Sequence, residues 1–126
     1  MYVNYLNNEC EISYLDKVSH QYVLHNFGAD SENVWGIWDN HDNIMGYCTL
    51  GYAEGVISDV NDVDLLLADV FILPKYRNKG YATILITEAL YSVHTPVYAQ
   101  ILNEDLISFY SRFGFEEVEY GLLLRK

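Results

Sequence analysis

The chain has little positive charge. Seven Lys and Arg face eighteen Asp and Glu over 126 residues, for a formal charge of −11. A general nucleic-acid binder needs a basic surface for the phosphate backbone, so that class is disfavoured. Attachment to anionic membranes is disfavoured on the same ground. Long apolar runs are missing too. The most apolar stretch, Leu65 to Leu73, is interrupted by Asp69 and stops at Pro74. A membrane span needs ~20 apolar residues. The N-terminus MYVNYLNNECE carries neither the basic nor the apolar segment of a secretory signal. Cysteine is scarce: Cys10 and Cys48 stand far apart, without His or Cys neighbours at metal-ligand spacing. They read as reduced thiols of a cytoplasmic protein. His20, His25, His41 and His94 show no ligand spacing, so no metal site is expected.

What is present is enough for one core. Hydrophobic residues make up 51% and aromatics 15%, with twelve tyrosines, and the length suits a single domain over 1–126. The charge is laid out unevenly. Residues 1–74 hold twelve acids and the single base Lys17, whereas residues 75–126 hold six of each sign. Three of those six bases fall within Lys75–Lys79. This layout suits a small anion-binding loop in the second half and an acidic surface for a cationic ligand in the first. A merely solvated surface would have the same composition.

Periodicity predicts a helix over residues 12–27, with Ile12, Leu15, Tyr22 and Val23 on one face and Gly28 ending it. Residues 34–38 and 44–50 read as a hairpin around the polar turn 39–43, and 53–63 as a loop or short irregular strand. Residues 64–73 read as a central strand covered on both faces. A helix over 80–91, a strand over 97–102, a helix over 104–113 ended by Gly114, and one or two closing strands follow. This order indicates a layered α/β (α+β) domain with a mixed sheet flanked by helices.

The segment Leu73-Pro74-Lys75-Tyr76-Arg77-Asn78-Lys79-Gly80-Tyr81-Ala82-Thr83 runs a buried strand through a turn into a helix. The first turn of a helix has unpaired N–H donors and the positive end of the dipole, which suits an anion. Gly80 lets the backbone come close, Ala82 is small, Arg77 and Lys79 add charge, and Thr83 can add a hydroxyl. The pattern is neither a Walker loop nor a dinucleotide fingerprint.

Arg77-x-x-Gly80-x-Ala82 after an apolar strand resembles the signature of GCN5-related N-acetyltransferases, and the similarity extends over Asp69–Ala89. Asn103-Glu104-x4-Phe109-Tyr110-x3-Gly114-Phe115 resembles that family's second motif, and Ile44-Met45-Gly46-Tyr47 its glycine-bearing third strand. The resemblance covers about residues 34–119. It implies a mostly antiparallel sheet in an acyl-CoA N-acyltransferase fold. It also implies acetyl-CoA as co-substrate, held at its pyrophosphate by Arg77, Asn78, Lys79, Gly80, Tyr81, Ala82 and Thr83. The pantetheine arm would pair with the free strand edge at Phe71 and Ile72 and contact Asn103.

The family reacts by direct attack of an amine. In this resemblance Tyr110 matches the tyrosine that protonates the leaving thiolate; by periodicity alone it reads as a packed core residue. Asp69, inside an apolar run, is the candidate base, against a purely structural hydrogen-bonding role. Asp64 is placed on the same strand, and Glu54 and Glu104 are weaker candidates. The short N-terminal segment leaves the acceptor open, and the acidic first half points to a cationic amine. A homodimer is left open. The alternatives are a non-catalytic acyl-CoA-binding domain of the same fold and, more remotely, a small acidic interaction protein.

Overall fold

Asn8 starts the first helix by accepting the Glu11 amide at 3.0 Å on its side-chain oxygen. The computed structural model describes residues 1–20 and 34–126. Helix α1 (Glu9–Ser19) ends at His20, whose left-handed φ of 59° stops it. It therefore begins before residue 12 and closes well before Gly28; Tyr22, Val23, His25 and Gly28 lie outside the described residues. The other elements are β1 (Tyr2–Tyr5), β2 (Val34–Trp38), β3 (Ile44–Tyr52), β4 (Leu65–Ile72), a 3₁₀ turn (Pro74–Tyr76), α2 (Tyr81–Tyr91), β5 (Val97–Gln100), α3 (Leu106–Ser111), β6 (Glu116–Glu119) and β7 (Leu122–Arg125). The strands form one sheet in the order β1-β2-β3-β4-β5-β7-β6. Pairing of β4 with β5 is parallel, whereas β1 with β2, β2 with β3, β5 with β7 and β6 with β7 are antiparallel. This is the mixed, mostly antiparallel sheet that the sequence leads one to expect.

The chain divides into two compact units, Met1–Thr49 with Asp69–Ser92, and Leu50–Ala68 with Val93–Lys126. In the first, Leu6, Ile12, Leu15, Val34, Trp38 and Tyr47 form a buried cluster, with Ile44 and Phe71 packed on it. Helix α2 buries Leu85, Ile86, Ala89 and Leu90 and lies against β1 and β2. In the second unit, Ala53, Ile57 and Leu66 are buried, and Val60, Tyr98 and Leu122 pack on them. The segment 53–64 is a loop, as expected, with one isolated bridge from Glu54 to Ile57. Edge strand β6 exposes Glu116, Glu117 and Glu119, charges that discourage pairing with another chain.

Strand β4 departs from the sequence reading. It is not covered along its whole length: Leu66, Leu67 and Ile72 are buried, but Ala68 is exposed and Asp69, Val70 and Phe71 are half-buried. Its ladder with β5 runs over Leu65 and Leu66. Helix α3 is also shorter than 104–113. The Asn103 side-chain oxygen accepts the Asp105 amide at 2.9 Å, holding residues 103–105 in a turn. Gly114 ends the segment at φ 92°, as its position suggested.

Close approach of β3 to the end of β4 depends on Gly46. A Cβ there would strike the Phe71 carbonyl and stand 3.0 Å from the Ile72 Cα. The Leu73 amide donates to the Met45 carbonyl alongside, at 2.8 Å. Gly46→Ala therefore forces backbone apart, at a cost of about 1–3 kcal/mol. Urea unfolding measures the loss, and an unchanged midpoint would show that β4 yields at this point.

Candidate functional site

The turn after β4 has the local chemistry of an anion cradle. The 3₁₀ turn closes with Tyr76 N donating to Leu73 O at 2.9 Å. Asn78 (φ 63°) and Gly80 (φ 83°) then both adopt left-handed backbone, which turns successive amides in one direction. Gly80 is the N-cap of α2 and offers no side-chain oxygen to the amides of the first turn. Nothing lies within 4 Å of the position a Gly80 Cβ would take. Lys75 and Lys79 are exposed beside this turn. The positive end of α2 and two ammonium groups therefore meet at an open backbone surface.

Arg77 is exposed but is tied back to the strand. Its Nε donates to the Ile72 carbonyl at 2.7 Å, and its guanidinium lies over the Phe71 ring, 5.3 Å from the centroid. The side chain thus seals the end of β4 as well as bringing charge to the loop. Backbone groups alternate along a strand. Phe71 turns its carbonyl toward Gly46 in β3, and Leu73 N also bonds to β3. Ile72 therefore faces the other edge, the one β5 leaves unpaired beyond Leu66. Phe71 contributes mainly its ring, which packs on Tyr47 at 5.9 Å.

Asp69 sits on the half-buried part of β4 and bonds to Thr49 in β3. The Asp69 amide donates to Thr49 Oγ1 at 3.1 Å, and Oγ1 donates to the Asp69 carboxylate at 3.2 Å. Burial pushes the Asp69 carboxyl above its ordinary range, and the Thr49 hydroxyl opposes that in part. The hydrogen bond it accepts comes from a neutral hydroxyl, which leaves the carboxylate basic. Beside it, burial pushes the Tyr47 phenol up to about 12. Asp64 is different. It precedes β4 instead of lying on it, is only 2% exposed, and accepts the Asn61 amide at 3.0 Å, closing the loop. It is removed as a candidate base because solvent and ligand cannot reach it. Glu54 and Glu104 are exposed loop residues.

Two residues of the site were not visible in the sequence. Asp39 opens the β2–β3 turn, accepting the amides of His41 (2.8 Å) and Asn43 (3.0 Å), and also bonds the Asn43 side chain. Its other partner is the hydroxyl of Tyr76, at 3.2 Å, so one carboxylate ties the hairpin to the cradle. The Asn43 amide first, then the His41 amide and the side-chain donors, hold its pKa at about 2 despite opposing desolvation. Thr49 is the second. The turn composition marks Asp39 as a turn residue, but nothing local announces its bond to Tyr76, 37 positions away.

In the second unit, Tyr110 is half-buried on α3, with ring edges against Phe109 (5.2 Å) and Phe115 (5.6 Å). No α3 residue is fully buried, so Tyr110 is not an enclosed core tyrosine. Asn103 is exposed, with its oxygen committed to the 103–105 turn and its side-chain NH2 left to offer. The first unit thus brings together Asp69, Phe71, Ile72 and the loop Arg77–Thr83; the second carries Asn103 and Tyr110. Among the described residues, no three His, Cys, Asp or Glu side chains group to hold a metal ion.

The family model for the acetyltransferase (GNAT) domain matches residues 30–117, and the chain belongs to that family. Solved structures with the same fold include NAA60 of Arabidopsis thaliana in complex with a bisubstrate analogue. It is 17% identical, with 98% of this chain and 97% of that chain covered and a TM-score of 0.68. The Bacillus subtilis N-acetyltransferase YlbP, in complex with coenzyme A, is 18% identical over 98% and 94%, with a TM-score of 0.66. A GNAT-family acetyltransferase of Staphylococcus aureus Mu50 is 18% identical over 98% of each chain, also at 0.66. We found no match among curated proteins.

The Asp39 network gives a test of its own. A carboxyl whose folded pKa lies below its unfolded value stabilises the fold above that unfolded value. The contribution is lost as pH falls through the folded one. Asp39→Asn should lower the melting temperature at pH 7, with the gap from wild type closing between about pH 4 and pH 2. Thermal scans at several pH values read this; a gap independent of pH would assign the loss to packing.

Proposed function

We propose that the chain transfers an acetyl group from acetyl-CoA to the amine of a cationic small molecule or peptide, by direct attack. The observation that carries this reading is the β4–α2 turn, where left-handed Asn78 and Gly80 present amides at an uncapped helix start. In this reading Arg77, Asn78, Lys79, Gly80, Tyr81, Ala82 and Thr83 hold the pyrophosphate, while Ile72, Phe71 and Asn103 line the arm. Acetyl-CoA supplies the thioester: its C–S bond breaks as the C–N bond forms, giving an acetamide and the free thiol.

The residues of this chain manage the protons. Asp69 takes the amine proton, directly or through one water, because burial and a neutral partner keep its carboxylate basic. Thr49 fixes the carboxylate and sets how basic it is. Tyr110 gives its phenolic proton to the departing sulfur. Backbone N–H at the outer edge of β4 polarises the carbonyl as charge develops there. The surplus of acids in residues 1–74 draws a cationic acceptor and repels a polyanion.

Two experiments test the proposal. Arg77→Ala with Gly80→Glu removes one charge, places another against the phosphates, and puts a side chain at a left-handed φ. Calorimetry should show a severe loss of coenzyme A affinity; unchanged affinity in a folded double variant would remove the central claim. The second follows free-thiol release against pH. Activity should rise with pH as Asp69 loses its proton, at a pH above the ordinary carboxylate range. Thr49→Val deletes a bond that stabilises the carboxylate, so that limb should move to higher pH. Tyr110→Phe should lower the rate about 10²–10⁴-fold. Rates within a few-fold of wild type for Tyr110→Phe, or a limb unmoved in Thr49→Val, would reject the corresponding role.

A further inference from the structure

The second unit contains a concavity of about 670 Å³ that none of the motif residues accounts for. Its volume lies in the range of sites for small organic ligands. Ile57, Tyr98 and Leu122 form an apolar floor, continuous with the buried cluster of that unit. The rim is apolar as well, and wet. Leu102, just before Asn103, is fully exposed, and Tyr120, at the tip of the β6–β7 turn, is 90% exposed. The tip is held in place: Ile101 N donates to the Gly121 carbonyl at 2.9 Å, and Gly121 packs so close that a Cβ would stand 3.3 Å from the Ile101 carbonyl. Among the described residues, Asp59 and Glu119 supply the charges in the lining, and both are negative.

We propose that this concavity binds an ammonium ion carrying an aromatic or branched-alkyl body. The apolar floor and the two wet rim side chains need a hydrophobic partner to cover them. Two carboxylates in the lining favour a cation, and the Tyr98 and Tyr120 rings add faces on which an ammonium is attracted. A neutral ligand forgoes the charge term, a hydrophilic polyamine forgoes the apolar one, and an anion is repelled. As the recognition site of the acetyl acceptor, the concavity rests on the acyl-transfer reading above. As a binding site, it does not.

Binding is measured on the full chain without coenzyme A, by calorimetry and by amide chemical shifts. The probes are phenethylammonium, its neutral analogue phenethyl alcohol, and methylammonium. Phenethylammonium should bind about tenfold more tightly than either, and added salt should narrow its lead over the alcohol. Its shifts should map to residues 56–59, 98–102 and 118–122. Glu119→Gln with Asp59→Asn should remove that preference over the alcohol. Tyr120→Ala, an exposed truncation compatible with folding, should weaken the ammonium about threefold, the size of an exposed cation–π contact. Equal or tighter binding of phenethyl alcohol, or shifts that map elsewhere, would overturn the proposal. Free-thiol release then separates the two readings. Phenethylammonium bound at this site but not acetylated leaves the binding site standing and argues against its use for the acceptor. Amine acetylation with a KM unchanged in Tyr120→Ala and in the double variant leaves the acetyl transfer standing and removes this site from it.

Discussion

Helix α2 opens on a residue with no side chain and a φ of 83°, so its N-cap gives no side-chain oxygen to the first amides. An uncapped helix start costs stability unless something else takes those donors. Most of the first unit can be understood as holding that start in place. Gly46 lets β3 approach the end of β4, Arg77 folds back onto the Ile72 carbonyl, and Asp39 grips the Tyr76 hydroxyl from the β2–β3 turn. The apolar face of α2 is buried through Leu85, Ile86, Ala89 and Leu90, which fixes the axis of its dipole. A backbone site of this kind needs no particular side chain at the ligand, only a frame that does not move.

Two carboxylates of the first unit are driven in opposite directions by the same set of forces. Asp39 collects two backbone amides and two side-chain donors, and its carboxylate form is strongly favoured. Asp69 has one neutral hydroxyl and more burial, and its carboxylate form is disfavoured. The first is suited to structural work, since a group that stays ionised keeps its bonds at any ordinary pH. The second is suited to taking a proton, because its affinity for one is raised. The difference comes from burial at Asp69 and from the number of donors gathered at Asp39.

Membership of the acetyltransferase (GNAT) domain family and a fold shared with structures 17–18% identical to it leave wide freedom in the acceptor. A fold carries many functions, and specificity resides in the side chains grafted on it. The acidic excess lies in residues 1–74, and Asp59 and Glu119 are the charged residues lining the concavity of the second unit. The opposite charge is concentrated at Lys75, Arg77 and Lys79.

By itself the sequence determined the features that depend on neighbours in the chain. The hairpin around 39–43, the strand-to-helix turn at 73–81, and the ends of α2 and of the Gly114 segment follow from turn residues, glycines and apolar spacing. It also determined which residues carry the family motifs, since those are patterns of order and spacing. What only the tertiary structure decided are contacts across long stretches of chain. Thr49 meets Asp69 at a separation of 20 residues, Tyr76 meets Asp39 at 37, and the Ile72 carbonyl is claimed by a side chain that the sequence assigned to phosphate alone. The half-exposed state of β4 is of the same kind. Its composition is that of a covered strand, but exposure is set by what packs against each residue, and that comes from elsewhere in the chain. Local pattern encodes conformation, whereas the protonation and accessibility of a side chain depend on whichever distant residues the fold brings beside it.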